Sequence, residues 1–383
     1  MSANSSRAGK VAVIYGTTGE MIKLAPVIRA LAERDAVITL CTGQQITQIT
    51  GMASDLGMPT PDIWLAKGFR GRDLGRTSDI PVWAATMVGR TATASLTALR
   101  REARAIVVHG DTLTTALAAI TTRLARLPIA HIEAGLRSGS YRNPFPEELN
   151  RRVASRCARI HYAPGDWAVD NLRRARVRGD IVNTERNTIV DALRIALSRA
   201  DSDLSLSTAT RESGFGLVSL HRFELLERRS ALEQCLRGLH EAADQRPLVF
   251  IDHSVTADAV RRHHLDHLLV HPRITRIPRQ RYTEFIQLLI RSQFLFTDSG
   301  GSQEECAALG IPCLIHRART ERPNGLSEGT VVLSQGNMNA VRMFLGSAHL
   351  AGPRRSLPDQ SPTATILGNL EARGLISKRL SIS

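Results

Sequence analysis

Residues 11–41 read VAVIYGTTGEMIKLAPVIRALAERDAVITLC, and this stretch decides the fold. The apolar run Val11–Gly16 leads through a turn with two glycines into a helical pattern over Ile22–Glu33. A second apolar run, Ala36–Cys41, follows. A strand, a helix and a second strand in this order predict a βαβ unit, whose two strands are parallel.

The same alternation of short apolar runs and longer helical patterns continues along the chain. Further strands are predicted at Ala105–His109, Pro128–Ile132, Ile160–Ala163, Gly216–Leu220, Pro247–Ile251, Phe294–Thr297 and Pro312–Ile315. Helices are predicted between them, including a long one over Ser78–Ala103, and a surface loop is predicted at Ser198–Ser213. The pattern predicts an α/β fold whose parallel sheets are covered by helices on both faces.

The length of 383 residues is typical of two domains. The strands fall into two series, which predicts a Rossmann-like domain at residues 1–175 and a second Rossmann-like domain at residues 176–362. The last predicted helix, Thr363–Arg373 within residues 363–383, is a candidate for packing back onto the first domain.

The formal net charge of +14 raises the question of nucleic-acid binding. The basic residues are almost all arginines spread along the chain, and only 4% of residues are aromatic, so few side chains are available to stack on bases. We therefore expect no nucleic-acid partner. The sequence has no run of 18 apolar residues, so no membrane partner is expected either. Its five cysteines form no CxxC pair, which fits a reducing cytoplasm.

Carboxylates follow two strands of the first series. Asp111 comes after the strand ending at His109, and Glu133 follows Ile132 directly. Glu147 and Arg151 open the helix that comes next. In open α/β sheets, ligands bind beyond the carboxyl ends of the strands, so we expect these carboxylates to share one site and to raise at least one pKa there. A simple helix cap is the competing interpretation of Asp111.

The first strand ends in Gly16-Thr-Thr-Gly-Glu20, and the helix after it carries Lys23. The start of this helix offers backbone N–H groups to an anion, although an ordinary strand–helix turn would have the same composition.

The second series places histidines and small residues at the corresponding positions. His221 and His253 each follow a strand, and Ser299-Gly300-Gly301 lies between a strand and a helix. Small residues at a helix start suit a diphosphate, and Glu305 in that helix suits ribose hydroxyls. Arg322 follows the last strand and suits a phosphate clamp.

Taken together, these segments resemble the UDP-N-acetylglucosamine 2-epimerase family. The motifs that carry the resemblance run from Val11 to about residue 330: HGDT at 109–112, HIEAGLR at 131–137, PEE-x-NR at 146–151, NTIVDAL at 187–193, HR at 221–222, DSGGSQEE at 298–305 and TERP at 320–323. The resemblance implies two Rossmann-like domains facing across a cleft (GT-B-type architecture), no cofactor and no metal, and a homodimer.

The resemblance also implies a reaction and a role for each site residue. The family inverts C2 of its substrate by anti elimination of UDP through a 2-acetamidoglucal. On this basis Asp111, Glu133 and Glu147 would supply acid/base groups, with His221 as a further catalytic residue. The remaining residues would bind the UDP-sugar substrate: Lys23, Arg151, His253, Ser299, Gly300, Gly301, Glu305 and Arg322.

Several alternatives stay open at this point. The product is UDP-N-acetylmannosamine if UDP adds back, or free N-acetylmannosamine and UDP if water adds instead, and the substrate is alternatively a related UDP-sugar of specialised metabolism. A glycosyltransferase of the same architecture and a non-catalytic nucleotide-sugar sensor are the other classes. The sensor is considered because Thr18 stands where the family has an arginine.

Overall fold

The computed structural model describes residues 9–69, 71–74, 77–91, 99, 101–123, 126–140, 145–199, 214–347 and 354–377. The chain divides into two compact units. Unit 1 comprises Met1–Ile195 and Asp359–Ser383, and unit 2 comprises Ala196–Pro358.

Unit 1 is built on a seven-stranded parallel sheet in the order β3-β2-β1-β4-β5-β6-β7. Its strands are β1 (Lys10–Tyr15), β2 (Val37–Cys41), β3 (Ile63–Trp64), β4 (Ala103–His109), β5 (Ile129–Ile132), β6 (Ile160–Ala163) and β7 (Asp180–Asn183). Its helices are α1 (Thr18–Ala32), α2 (Ile46–Leu56), α3 (Ile80–Arg90), α4 (Leu113–Thr122), α5 (Glu147–Cys157), α6 (Asp166–Arg174) and α7 (Ile189–Ser198), which crosses into unit 2, and the last helix of the chain, α14 (Pro362–Ala372). The strand order reverses between β1 and β4, which makes the carboxyl ends of these two strands the topological switch point.

Unit 2 repeats this plan with six parallel strands in the order β10-β9-β8-β11-β12-β13. Its strands are β8 (Gly216–Ser219), β9 (Leu248–Asp252), β10 (Ile274–Pro278), β11 (Phe294–Thr297), β12 (Cys313–Ile315) and β13 (Val331–Leu333). Its helices are α8 (Phe223–Leu226), α9 (Arg229–Ala243), α10 (Ser254–Arg262), α11 (Tyr282–Arg291), α12 (Gly300–Leu309) and α13 (Met338–Ser347). The switch point of this sheet lies between β8 and β11.

The central strands form the two cores. Every residue of β5, β6, β8 and β11 is buried, as expected for parallel strands that are covered on both faces. The core of unit 2 is built around Phe250, Phe294 and Phe296, each at most 1% exposed. The predicted α/β class with two Rossmann-like domains is confirmed.

The division of the chain differs from the predicted one. We expected the first domain to end at residue 175, but β7 pairs with β6, so the segment after residue 175 joins the first sheet and unit 1 continues to Ile195. The last helix, α14, packs against unit 1, where the Tyr162 hydroxyl donates to Asn369 Oδ1 at 3.1 Å.

Two local predictions also need comment. The long helix predicted over Ser78–Ala103 was wrong at its end, because Ala103 already belongs to β4 and pairs with Lys10 of β1. The helix α3 begins close to the predicted start, with Asp79 at the N-cap and Pro81 in the first turn. The loop predicted at Ser198–Ser213 lies, from residue 200 onward, outside the described residues.

In the part of the chain that the structure describes, no helix is both long and apolar enough to cross a membrane. All five cysteines carry free thiols.

Candidate active site

The start of α1 lies at the switch point of unit 1. Several backbone N–H groups there already donate hydrogen bonds to side chains of the protein. Glu20 accepts hydrogen bonds from the backbone N–H groups of Gly16 and Thr17, both at 2.9 Å, and the Thr17 side chain caps the helix in return. The Thr112 and Thr115 hydroxyls donate to the other carboxylate oxygen at 2.5 and 3.0 Å. Burial raises the pKa of the Glu20 carboxyl, and these hydrogen bonds oppose that shift.

Thr18 is also hydrogen-bonded within the protein. Its backbone N–H and its hydroxyl both donate to Gln45 Oε1, at 2.9 and 3.0 Å. We expected unpaired N–H groups for an anion at this helix start, but side-chain oxygens of the chain occupy those of Gly16, Thr17, Thr18 and Glu20. The expectation was therefore wrong for these four groups, because a helix N-terminus is satisfied by internal acceptors whenever the sequence supplies them.

Lys23 and Glu133 form a buried ion pair in unit 1. Glu133 directly follows β5, and its backbone is held at φ 62°, the left-handed region that non-glycine residues seldom adopt. Its side chain is 3% exposed, and it also accepts a hydrogen bond from the amide of Asn187. A strained, charged and buried residue beyond the end of a strand is characteristic of a functional site.

Asp111 and Arg151 form a second ion pair. Arg151, in α5, is 2% exposed and also pairs with Glu148 at 3.3 Å. The side-chain amide of Asn150 donates to the backbone oxygen of Asp111 at 2.9 Å, which fixes the loop that follows β4. Glu147 is the first residue of α5 and is partly buried.

These ion pairs place a cation beside two of the three predicted carboxylates. We expected repulsion between neighbouring carboxylates to raise a pKa, but Asp111 and Glu133 each lie beside a cation that offsets such repulsion. Burial raises the pKa of another carboxyl of this unit, that of Glu20.

His131 supports the same loop and was not singled out from the sequence. Its ring Nε2 lies 2.8 Å from the Gly110 oxygen, and the side chain is fully buried. Burial lowers the pKa of His131 to about 3, so the ring is neutral and donates this N–H to the carbonyl. The signal was present, because His131 opens the same HIEAGLR motif that contains Glu133.

Asp298 organises the switch point of unit 2. It follows β11, is 1% exposed, and accepts hydrogen bonds from the backbone N–H groups of His221 and Arg222, which follow β8. The shortest of these contacts measure 3.0 Å for His221 and 2.9 Å for Arg222. Asp298 opens the DSGGSQEE motif at residues 298–305, but the sequence alone indicates no role for it.

His221 and His253 lie side by side, with ring centroids 5.1 Å apart. His253 Nε2 is 3.0 Å from the Ser219 hydroxyl. Burial lowers the pKa of His221, against the opposing effect of Asp298, and burial together with the neighbouring His221 lowers the pKa of His253 to about 3. Both rings are therefore neutral near pH 7.

Ser299, Gly300 and Gly301 form the start of α12, as the sequence predicts. Ser299 is the N-cap, and its hydroxyl accepts from Ser302 N at 3.5 Å. A Cβ added at Gly301 would have only Ser299 Oγ near it, at 3.9 Å, so space is open there. A Cβ at Gly300 would lie 2.9 Å from Arg322 Nη1, so that glycine lets the guanidinium approach the helix start.

Arg322 is held at this helix start by buried acids. Its Nε lies 3.0 Å from Glu304 Oε2, and its Nη1 pairs with Glu321. Glu305, one turn further along α12, is buried beside Tyr282, whose pKa is raised by burial and then by the Glu305 charge.

Predicted site residues thus form two close pairs in each unit. Unit 1 brings together Lys23 with Glu133 and Asp111 with Arg151, and unit 2 brings together His221 with His253 and Arg322 with Gly300. Among the described residues, no group of three or more His, Cys, Asp or Glu is arranged to hold a metal ion.

Comparison with known proteins places this geometry in a family. The family model described as UDP-N-acetylglucosamine 2-epimerase matches residues 30–372. The UDP-N-acetylglucosamine 2-epimerase of Yersinia pestis is 32% identical over 344 residues, covering 87% of this chain and 88% of that protein.

Solved structures of UDP-GlcNAc 2-epimerases are also similar to this chain. A UDP-GlcNAc 2-epimerase from Neisseria meningitidis, bound to UDP-GlcNAc, is similar with a TM-score of 0.80 and 26% identity, covering 95% of this chain and 100% of that one. The enzyme from Methanocaldococcus jannaschii, in complex with UDP-GlcNAc and UDP, has a TM-score of 0.79 and 26% identity, covering 95% and 99%. This likeness confirms the GT-B-type fold. The chain belongs to the UDP-N-acetylglucosamine 2-epimerase family.

Proposed function

We propose that this protein inverts C2 of UDP-N-acetylglucosamine by anti elimination of UDP, followed by addition of UDP to the other configuration. The observation that carries the proposal is Glu133, a carboxylate held in a strained backbone conformation, buried, and paired with Lys23. The membership of the family and the bound UDP-GlcNAc in two similar epimerases support the choice of substrate.

The reaction needs groups that remove and return a proton at C2. In the forward direction a base takes the C2 proton, a double bond forms between C1 and C2, and the C1–O bond breaks to release UDP as an anion. In the return direction an acid protonates C2 from the opposite face while a UDP oxygen bonds to C1. We assign the acid/base work to Asp111, Glu133 and Glu147, since two faces of the sugar must be served.

Arg151 and Lys23 are assigned to positioning and to electrostatic stabilisation. Arg151 is buried and holds the Asp111 carboxylate in place. Lys23 is an ammonium group beside Glu133, where its charge suits the sugar–phosphate linkage as negative charge develops on the departing UDP.

The diphosphate is assigned to the switch point of unit 2. The Ser299 N–H donates to Thr297 Oγ1 at 3.1 Å, so the diphosphate is assigned to the backbone N–H groups of Gly300 and Gly301 in the first turn of α12. The space beside Gly301 is open, and Arg322 adds a guanidinium at this helix start. His221 and His253 are neutral and act as hydrogen-bonding rings, with His221 assigned to the departing phosphate oxygen. Glu305 is assigned to the ribose hydroxyls.

The catalytic assignment is tested by Glu133→Gln and Asp111→Asn. Each is expected to lower kcat by at least about 100-fold, because a general acid or base typically contributes that much. Conversion of UDP-N-acetylglucosamine is followed by chromatography, and UDP binding by calorimetry. The control is Glu33→Gln, an exposed carboxylate of the same unit, which should leave kcat unchanged. Normal kcat in both site variants removes their assigned roles.

Product analysis by mass spectrometry distinguishes addition of UDP from addition of water in the second half of the reaction. UDP-N-acetylmannosamine supports the proposal, whereas N-acetylmannosamine with free UDP shows that water adds in place of UDP. If another UDP-sugar turns over faster, the substrate is that sugar. Transfer to an acceptor with C2 unchanged identifies a glycosyltransferase, and tight UDP binding without turnover identifies a sensor.

The proposed assembly is a homodimer. Unit 1 exposes Val82 of α3 and Ile120 of α4, at 57% and 51%, and α3 and α4 contact each other. Exposed apolar side chains on adjoining helices favour a protein–protein interface. Light scattering after gel filtration should give twice the chain mass of 41.9 kDa, and Ile120→Asp should shift the mass towards one chain.

A further inference from the structure

A cavity of about 720 Å³ lies in unit 1, and eight of its thirteen lining residues are arginines. The α5 side contributes Arg152 and Arg156, with Arg159 just beyond the end of the helix. The α6 side contributes Arg174, in the last turn, and Arg176 in the turn that follows. The two helices thus present guanidinium groups to the same space.

The described lining residues of this cavity carry a strong positive charge. No Asp or Glu is among its described lining residues. Arg152 pairs with Glu148 at 2.9 Å, and Arg137 donates to the Leu136 oxygen and to Ser155 Oγ. Guanidinium groups stay protonated at any physiological pH, so their convergence is unfavourable unless an anion enters.

Part of the cavity lies at the other end of the sheet from the carboxylates proposed for catalysis. Arg159 immediately precedes β6 and Arg178 precedes β7, so these two lie at the amino ends of their strands. Asp111 and Glu133 follow β4 and β5, so they lie at the carboxyl ends of the parallel strands, opposite to the amino ends. Arg159 and Arg178 are therefore not explained by the substrate of the reaction proposed above.

The size and chemistry of the cavity indicate the class of ligand. Pockets for small molecules typically enclose about 300–1,000 Å³, and arginine binds phosphate through two parallel N–H groups. Leu149, Val153 and Val177 also line the cavity and make part of its surface apolar. We propose that this cavity binds a small anion with several phosphate groups, in a site distinct from the active site.

The binding test uses inorganic tripolyphosphate as the probe, titrated by calorimetry into the full-length protein after UDP has saturated the active site. The site variant is Arg156→Glu with Arg178→Glu, since both side chains are exposed and their replacement spares the core. The control is Arg229→Glu with Arg291→Glu, two exposed arginines of unit 2 that change the net charge equally. Melting temperatures check that both double variants fold.

We expect one tripolyphosphate per chain, an affinity that falls as salt rises, and a loss of at least about tenfold in the site variant alone. Equal affinity in the site and control variants overturns the proposal, as does an absence of tripolyphosphate binding by the unmodified protein. A single-stranded oligonucleotide is titrated in parallel. If it binds more tightly than tripolyphosphate and also depends on Arg156 and Arg178, the surface serves nucleic acid and the small-anion proposal fails.

Discussion

Asp298 accepts the backbone N–H of His221 with both oxygens of its carboxylate, each at 3.0 Å. The contact joins the ends of β8 and β11, the two strands between which the order of the second sheet reverses. Because Asp298 is 1% exposed, the hydrogen bonds are shielded from water and fix where the His221 ring stands.

Asp298→Asn should therefore disturb the site. The amide can accept from one N–H but presents its NH₂ to the other, and a hydrogen bond to a buried charge contributes about 1.5–3 kcal/mol. We expect KM for the UDP-sugar to rise at least about tenfold, with a lower melting temperature. The control is Asp252→Asn, which loses the more exposed pair with Arg276. If KM rises equally in both variants, Asp298 has no special part in positioning His221.

Lys23→Met should destabilise the protein. It removes the cation beside the buried Glu133 carboxylate, and breaking a buried pair in this way costs about 3–5 kcal/mol. Lys10→Met is the control, because Lys10 pairs with Asp35, a side chain that is 91% exposed, and such pairs contribute about 0–1 kcal/mol. Urea unfolding of the two variants measures the difference. Equal loss in both contradicts a buried Lys23–Glu133 pair.

The two glycines of α12 should respond differently to alanine. At Gly301 the space is open, so Gly301→Ala should keep the fold or stabilise it by up to about 1 kcal/mol, yet raise KM by blocking the diphosphate. Gly300→Ala should lower the melting temperature, since its Cβ meets Arg322 Nη1 at 2.9 Å. Unchanged KM in Gly301→Ala would show that the diphosphate binds elsewhere.

Acid should destabilise the protein through its buried histidines. The folded pKa of His253, about 3, is below the unfolded value of about 6.5, so below pH 6.5 the unfolded chain takes up a proton that the folded chain refuses. Stability is thus lost as the pH falls from 6.5 towards 3, by about 2 kcal/mol at pH 5 for this residue. His253→Gln should lose less stability between pH 7 and pH 5 than the unmodified protein. His267→Gln, an exposed control, should behave like the unmodified protein.

The interior strands could be predicted from sequence because they are buried on both faces. Ile160–Ala163 and Phe294–Thr297 were predicted to the residue, since a strand covered on both sides is a continuous apolar run. The edge strands β7 and β10 were missed. Asp180 and Arg276 interrupt their apolar pattern, because an edge strand is half exposed and tolerates charge.

The candidate site residues could be selected from the sequence, but their pairings could not. Position after a strand identified Asp111, Glu133 and His221 as candidates. Local spacing gives no information on Lys23 with Glu133, which are 110 residues apart, or on Asp298 with His221, 77 residues apart. The contact of Gln45 with Thr18 was missed for the same reason, since the two residues are 27 apart and lie in different strand–helix turns. The capping box of Thr17 and Glu20 is local, and its spacing was present in the sequence.

Exchange of the C2 proton is measured most directly by NMR of UDP-N-acetylglucosamine incubated with the protein in D₂O. We expect deuterium at C2 of substrate and product with the unmodified protein, and at least about 100-fold slower incorporation with Glu133→Gln. A C2 proton that stays unexchanged while the protein binds the nucleotide-sugar would contradict the proposed reaction.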